Sequence, residues 1–221
     1  MDGETCERLA LERMLRLPAV LLLLALPASA VTVDRIAAIV DRQVLTVSEV
    51  AQMVEIRFFP RTSQSEDDHR RDVLEGLIAQ ALRYRDVERF GAQDISPGVI
   101  EARLLEIQRR FASEAEFQAA IARAELTLDE VRALARRQLQ VEAYIQERFA
   151  PLVFITNEEV EAYYRGPWTT QRRERGLGVP PLDSVREEIR TAVHTTRLQD
   201  EIGKWTTQLR ARADVDVYAW R

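Results

Sequence analysis

The sequence is poor in the residue types from which metal sites and disulfide frameworks are built. Its 221 residues include one cysteine, Cys6, and two histidines, His69 and His194. A structural zinc site needs more His or Cys ligands than these, at close spacing. A single thiol has no partner for a disulfide within the chain. The sequence therefore predicts neither a metal centre nor a disulfide-stabilised fold.

Motifs for catalysis and for phosphate binding are also missing. The glycine-containing stretch GLGVPP has no third glycine and no Lys-Ser or Lys-Thr pair, so it does not match a phosphate-binding loop. No serine lies in a nucleophile-elbow context. The net charge of −5 gives no basic footprint for a nucleic-acid partner. We therefore expect no enzyme, no cofactor and no nucleic-acid binding.

The first thirty residues have the three parts of a secretory signal. A basic start at Met14–Arg16 precedes an apolar run at Leu17–Leu26, and the small residues Ala28-Ser29-Ala30 follow. This pattern predicts cleavage after Ala30, and the apolar run is too short to span a membrane. The acidic residues before Met14 are unusual for such a segment, so translation could start at Met1 or Met14. We expect a mature protein without a membrane span, in the periplasm.

The two ends of the mature chain carry the strand signals. Residues 33–46, VDRIAAIVDRQVLT, are rich in β-branched residues around a polar Asp41-Arg42-Gln43 break, which predicts two short strands or one bent extended arm. Residues 213–220 alternate valine with aspartate. Because a lone strand needs a partner, we expect the N-terminal arm and the C-terminal strand to pair.

The segment between these ends is predicted to be mainly α-helical. Capping boxes, in which a hydroxyl and a glutamate three residues later satisfy the first backbone amides, open helices at Thr46, Ser113, Thr127 and Thr156, and Ser96-Pro97 marks another start. The helices are predicted at 47–59, 66–90, 97–111, 114–124, 128–149, 157–165 and 183–212. The last would be about 45 Å long at ~1.5 Å per residue and should therefore lie along several other helices.

Apolar and aromatic side chains near the predicted helix ends are the candidates for peptide binding. Methionine repacks readily and aromatic rings bury a large area, so both suit a groove for varied apolar peptides. Ordinary core filling is the alternative interpretation of the same residues. The candidates are Met53, Phe58, Phe59, Phe111, Phe117, Tyr163, Tyr164 and Trp168.

Four stretches of the sequence, in order, resemble the family of SurA periplasmic chaperones and parvulin-type foldases. They are VDRIAAIVDRQVLTVSEV; LIAQALRYRDVERFG followed by ISPGVIEARLLEIQRRF; ITNEEVEAYYRG; and PLDSVREEIRTAV with its closing strand. Together they cover nearly all of residues 33–218. The resemblance implies a helical chaperone core with a small β element, formed by residues 31–165 and 182–221.

The resemblance also implies that a domain is missing. In the family, a parvulin isomerase domain lies between the EEVEAYY and PLDSVREEI helices, whereas residues 166–181 alone join them here, without the His-Ile pair that opens a parvulin domain. We therefore interpret this segment as a linker left in place of the domain. An arginine-rich binding loop beside Trp168, formed by Arg165, Arg172, Arg173 and Arg175, is the alternative.

The function that the resemblance implies is an exported, ATP-independent chaperone. It would bind unfolded or partly folded polypeptides, with clients like outer-membrane proteins, by apolar burial and backbone hydrogen bonds in a groove beside a sheet edge. Two alternatives stay open. The protein could be a peptidyl-prolyl isomerase, as the family relationship suggests, or a structural adaptor with one fixed partner.

Overall fold

The computed structural model describes residues 34–218. The predicted signal segment, residues 1–30, and the expected mature N-terminus at Val31 lie outside the described residues. Within residues 34–218, no helix combines the length and the apolar character that crossing a membrane requires.

The two ends of the described chain form one small antiparallel sheet. Strand β1 (Ile36–Val40) pairs with β2 (Gln43–Thr46) and, on its other side, with β3 (Val215–Val217), which gives the order β2-β1-β3. The two-residue turn between β1 and β2 begins at Asp41, whose φ of 52° lies in the left-handed region. The predicted pairing of the N-terminal arm with the C-terminal strand is confirmed.

The seven helices predicted from the sequence begin within one residue of their predicted starts, and four of them carry the expected side-chain cap, whereas the sequence does not predict the short helix at Thr169–Glu174. Complete capping boxes open helices at Thr46, Thr127 and Thr156. Ser113 accepts from the amide of Glu116, whose carboxylate instead accepts from the amide of Ala112. The α-helices are α1 (Val47–Glu55), α2 (Glu66–Phe90), α3 (Pro97–Gln108), α4 (Glu114–Arg123), α5 (Leu128–Arg148), α6 (Asn157–Tyr163), α7 (Thr169–Glu174) and α8 (Leu182–Arg212).

Two helices end at least three residues earlier than predicted. The chain leaves α1 at Glu55 rather than at residue 59, because Arg57 takes a left-handed conformation with φ 50°. The amide of Phe58 then donates to the carbonyl of Met53, and that of Arg57 to the carbonyl of Val54. This pair of bonds is a Schellman cap, a helix end that usually has glycine at the left-handed position. Helix α3, predicted to 111, ends at Gln108.

The long helix α8 joins two hydrophobic clusters. Its C-terminal half packs Leu198, Ile202, Trp205 and Leu209 into the main core, against α2. Its N-terminal half packs against α6, where Ile189 and other side chains form a smaller cluster. With 31 residues, α8 is about 46 Å long at ~1.5 Å per residue, and it does lie along several elements, as its length predicts.

The segment predicted as a linker, residues 166–181, is partly helical. A π-helical turn at Tyr164–Trp168 runs from α6 into α7, and the chain turns away two residues after the end of α7, at Gly176, where φ is 67° in the left-handed region. The non-helical residues 177–181 are held against this helix by two hydrogen bonds. The Tyr164 hydroxyl donates to the carbonyl of Pro180 (2.8 Å), and Arg172 Nε donates to that of Gly178 (2.8 Å). The segment is thus an ordered helical turn that closes on itself.

Candidate functional site

A groove of about 430 Å³ lies where β2, α1, α2 and α5 meet. These elements come together because each contributes an apolar stripe to the main core, and the outermost residues of those stripes stay partly exposed along the seam. Met53 lies on α1 at its inner wall. The other apolar lining residues are Leu45, Leu77, Ala81, Tyr84, Leu126, Ala133 and Leu134.

Helix periodicity explains the apolar floor. On α2, Leu77, Ala81 and Tyr84 recur at spacings of four and three residues, which places them on one face of the helix. All three are partly buried against the main core. On α5, Leu134 belongs to the stripe that also buries Val131. The floor is therefore the margin of the core, left open to solvent.

The polar rim of the groove is largely held by the protein's own hydrogen bonds. Glu49 and Glu130 close the capping boxes of α1 and α5, and the backbone bond from Thr127 holds the pKa of Glu130 below its ordinary value. Gln52 donates to the carbonyl of Ala124 at 3.0 Å. These acids and amides are thereby fixed in place and leave the apolar floor as the open part of the site.

Tyr84 and Arg137 face each other across the groove. The Arg137 guanidinium lies 5.6 Å from the centre of the Tyr84 ring, a cation–π distance. Burial raises the pKa of the Tyr84 hydroxyl above its ordinary value, and the charge of Glu88 adds to this effect. The pair of Tyr84 and Arg137 adds an aromatic ring and a guanidinium to the lining of the groove.

One wall of the groove is β2, one of the two edge strands of the sheet. Gln43 and Leu45 of β2 line it, and the order β2-β1-β3 leaves the outer backbone edge of β2 without a strand partner among residues 34–218. An extended peptide can add to such an edge through main-chain hydrogen bonds while its alternate side chains enter an adjacent apolar groove. The site thus offers both kinds of contact that sequence-independent peptide binding needs.

The eight residues predicted from the sequence do not form one surface. Five of them, Met53, Phe58, Phe111, Phe117 and Trp168, are buried in the described structure, with 2–8% of each residue exposed. Of the eight, only Met53 lines the groove. The positions of these five agree with the core-filling interpretation, because burying a large apolar side chain contributes more to the free energy of folding than burying a small one.

The aromatic candidates form separate pairs. The rings of Phe111 and Phe117 lie 5.5 Å apart across the α3–α4 connection, and Phe59 packs edge-on against Phe58. The partly buried rings of Tyr163 and Tyr164 belong to the smaller cluster near α7. Whether any of these residues contacts a peptide stays a prediction.

Sequence reasoning missed an exposed apolar segment between α5 and α6. Leu152 is 70% exposed and Phe154 80% exposed, whereas the intervening Val153 packs on the main core and Ile155 on the smaller cluster. This alternation is the pattern of an extended segment with one buried face, and it could have been found in the sequence LVFI.

Residues 34–218 contain no group of three or more His, Cys, Asp or Glu side chains arranged to hold a metal ion. His194 lies on α8, apart from His69 on α2.

No protein-family model matches the chain. The chain is similar to a protein named Chaperone SurA from Bordetella avium, with 28% identity over 138 residues, which cover 60% of this chain and 27% of the relative. It is also similar to Chaperone SurA from Pseudomonas putida, with 30% identity over 148 residues, which cover 63% of this chain and 34% of the relative. The matches thus span about a third or less of the curated relatives' own length. They confirm the predicted resemblance: this chain is SurA-like in sequence over about three fifths of its length.

Proposed function

We propose that the protein is a chaperone without catalytic activity, which binds unfolded or partly folded polypeptides in the groove between β2, α1, α2 and α5. The name of both relatives supports the chaperone role. The observation that carries the proposal is the joining of an unpaired sheet edge to an open apolar floor. Backbone hydrogen bonds at such an edge do not depend on the client's sequence, and the apolar floor rewards any client that exposes hydrophobic side chains.

The compartment and the clients are part of the proposal. The three-part signal at residues 14–30 supports export, and we propose that the mature protein works in the periplasm on clients like outer-membrane proteins. Such clients are chains that cross an aqueous space before they fold, so a holding protein that needs no ATP suits their transit. We propose that residues 166–181 replace a catalytic domain and carry no isomerase site.

The experiment compares two substitutions that add the same ring at different places. Ala133 is exposed and lines the groove on α5, whereas Ala102 is exposed on α3 and is absent from the groove lining. Ala133→Trp should fill the groove and weaken the suppression of aggregation of a chemically denatured client several-fold. Ala102→Trp should leave it at the wild-type level.

Two further arms separate the alternatives. Phe154→Ser removes the most exposed large apolar side chain among residues 34–218, which lies outside the groove. If it abolishes holding while Ala133→Trp does not, the groove proposal is wrong. A proline isomerisation assay on the wild-type protein should show no acceleration of cis–trans exchange. Measurable activity would overturn the noncatalytic part of the proposal and favour an isomerase.

A further inference from the structure

A second cavity, separate from the groove, concentrates arginine side chains around a buried histidine. It has a volume of about 590 Å³ and lies between the end of α1, the start of α2 and the end of α3. Its volume is in the range of small-ligand sites, and its lining shares no residue with the groove. The lining includes Arg57, Arg61, Arg110, His69, Phe59 and Pro60.

Two of these arginines are held next to each other by backbone carbonyls. Arg110 Nη1 donates to the carbonyl oxygens of Arg57 (2.6 Å) and Phe58 (2.7 Å), and Arg57 Nη1 donates in return to the carbonyl of Arg110. Carbonyl groups accept hydrogen bonds but carry no full negative charge. The carbonyls therefore fix two like charges close together without neutralising them, and of the two only Arg57 has a carboxylate partner, Glu116.

The carboxylates near the cavity are engaged with other groups. Glu116 pairs with Arg57 at 3.3 Å on the exposed side, and Glu66 pairs with Arg61 at 3.3 Å. Glu106, four residues before Arg110, pairs with Arg103 at 2.9 Å. Within residues 34–218, no carboxylate forms an ion pair with the Arg110 guanidinium. Burial, together with the neighbouring charge of Arg103, lowers the pKa of Arg110.

The histidine of the cavity has an unused polar atom. His69 is 4% exposed, and its Nδ1 has no hydrogen-bond partner among the described residues. Asp72, one turn further along α2, accepts from the hydroxyls of Thr62 (2.8 Å) and Ser63 and does not bond to His69 Nδ1. A buried polar atom without a partner is costly unless a ligand or water satisfies it.

The opposite part of the cavity is apolar. Phe59 packs across Gly76, where a Cβ atom would lie 3.1 Å from its ring, so the ring is held flat against α2. Pro60 adds a second apolar surface beside it. A ligand that fits this cavity therefore combines a negatively charged end with an apolar body.

We propose that this cavity binds a carboxylate attached to an apolar group, with the carboxylate between Arg110 and His69 and the apolar group against Phe59 and Pro60. Arg110 Nη1 is engaged with the two carbonyls, so the paired donors that remain to match a carboxylate are those on Nε and Nη2. One unpaired guanidinium balances the single charge of a carboxylate but not a phosphate dianion. The C-terminal carboxylate of a polypeptide and a small organic acid share this chemistry. The site does not depend on the proposed client groove.

The first experiment measures binding to the wild-type protein by titration calorimetry. The probes are phenylacetate and an N-acetylated pentapeptide ending in phenylalanine, each as the free acid and as the amide, together with inorganic phosphate. At least one acid should bind, and its amide should bind at least about tenfold more weakly, as expected when a charged partner of a buried donor is removed. Binding of the peptide acid alone identifies chain termini as the ligand, and binding of phenylacetate identifies small acids.

Three results would overturn the proposal: equal binding of acid and amide, no binding of either acid, or binding of phosphate alone. The second experiment places the bound acid in the cavity with Arg110→Gln and Arg57→Gly. Glycine suits the left-handed backbone at residue 57, so Arg57→Gly removes the charge without straining the helix cap. Both variants should lose at least several-fold in affinity for the acid, with circular dichroism unchanged for Arg57→Gly.

Glu125→Gly is the matched control, because Glu125 also occupies the left-handed position of a helix cap but does not line this cavity. It should bind the acid as the wild type does. If Arg110→Gln or Arg57→Gly folds and binds the acid with unchanged affinity, the bound acid lies elsewhere and the proposed site is wrong.

Discussion

Asp41 and Asp214 exchange two hydrogen bonds although 173 residues separate them in the chain. The amide of Asp41 donates to the carbonyl of Asp214 at 2.7 Å, and the amide of Asp214 donates to Asp41 Oδ1 at 3.0 Å. The side chain of Asp41 also pairs with Arg85 on α2. The turn between β1 and β2 is thus bonded to the segment between α8 and β3. The first and last strands of the described chain are therefore held together beside β2, which forms the groove wall.

This connection makes Asp41 a test of how the termini stabilise the fold. Asp41→Gly retains the left-handed turn but removes the acceptor for Asp214 and the partner of Arg85. Loss of one such bond costs about 1 kcal/mol, or ~2–4 °C in melting temperature for a protein of this size. Glycine offsets only part of this loss, because aspartate already tolerates the left-handed conformation better than most residues. Asp41→Asn keeps an oxygen acceptor and also tolerates the left-handed conformation, so it should melt closer to the wild type. Equal melting temperatures for both variants would show that the side-chain bond contributes nothing.

The sequence predicts helix starts better than helix ends in this protein. A helix start depends on residues close together in the sequence. The capping box of α1 needs only Thr46 and Glu49, and that of α5 only Thr127 and Glu130. The end of α1 depends instead on the left-handed Arg57, a position where glycine is the usual signal. Residue 57 is neither glycine nor asparagine, so the sequence does not mark this conformation, which accompanies the burial of Phe58 in the core.

The groove could not be predicted from the sequence for a different reason. Its lining comes from elements spread between Gln43 and Arg137, and each of them has an ordinary amphipathic pattern. Periodicity identifies which residues of a helix are apolar but not which of them the neighbouring helices leave uncovered. The prediction of a groove beside the sheet edge therefore followed from the family resemblance, while its residues needed the structure.

The two left-handed caps without glycine predict a paired stability effect. Arg57 and Glu125 both end Schellman caps with φ near 50°. A residue with a Cβ atom pays about 1 kcal/mol in this conformation, so Arg57→Gly should unfold at higher urea than Arg57→Ala, by about that free energy. Glu125→Gly and Glu125→Ala should differ in the same direction. If alanine and glycine are equivalent at both positions, the left-handed caps are not formed in solution.

The lowered pKa of Asp72 makes the free energy of unfolding depend on pH. Hydrogen bonds from Ser63 and Thr62 lower its pKa in the folded protein, and the charge of His69 adds to them. A depressed pKa contributes stability above the unfolded-state value, near 3.8, and this contribution is lost as the pH falls through the lower folded-state value. Urea unfolding should therefore show the wild type more stable than Asp72→Asn at pH 6, with the difference shrinking below pH ~4. A difference that grows on acidification would contradict this assignment.

The ordered turn at residues 166–181 should matter for stability. Thr169 is buried and bonds to the carbonyl of Tyr164 at 2.5 Å, and the Arg172 guanidinium lies 4.8 Å from the centre of the buried Trp168 ring. Replacement of Thr169–Gly178 by a Gly/Ser linker of equal length should lower the melting temperature, because these contacts are lost. Client holding, measured below the melting temperature, should persist if the segment is only a connection. A salt-sensitive loss of holding would instead favour the arginine-rich binding loop.

Site-specific photo-crosslinking to an unfolded client tests most directly whether the groove binds polypeptides. A photoreactive residue replaces Gln80, which lines the groove on α2, or Gln118, which is exposed on α4 and does not line it. Gln80 should crosslink the unfolded client with several-fold higher yield than Gln118, and excess unlabelled unfolded client should suppress the product. Equal yields at the two positions, or crosslinking at Gln118 alone, would contradict binding in the groove.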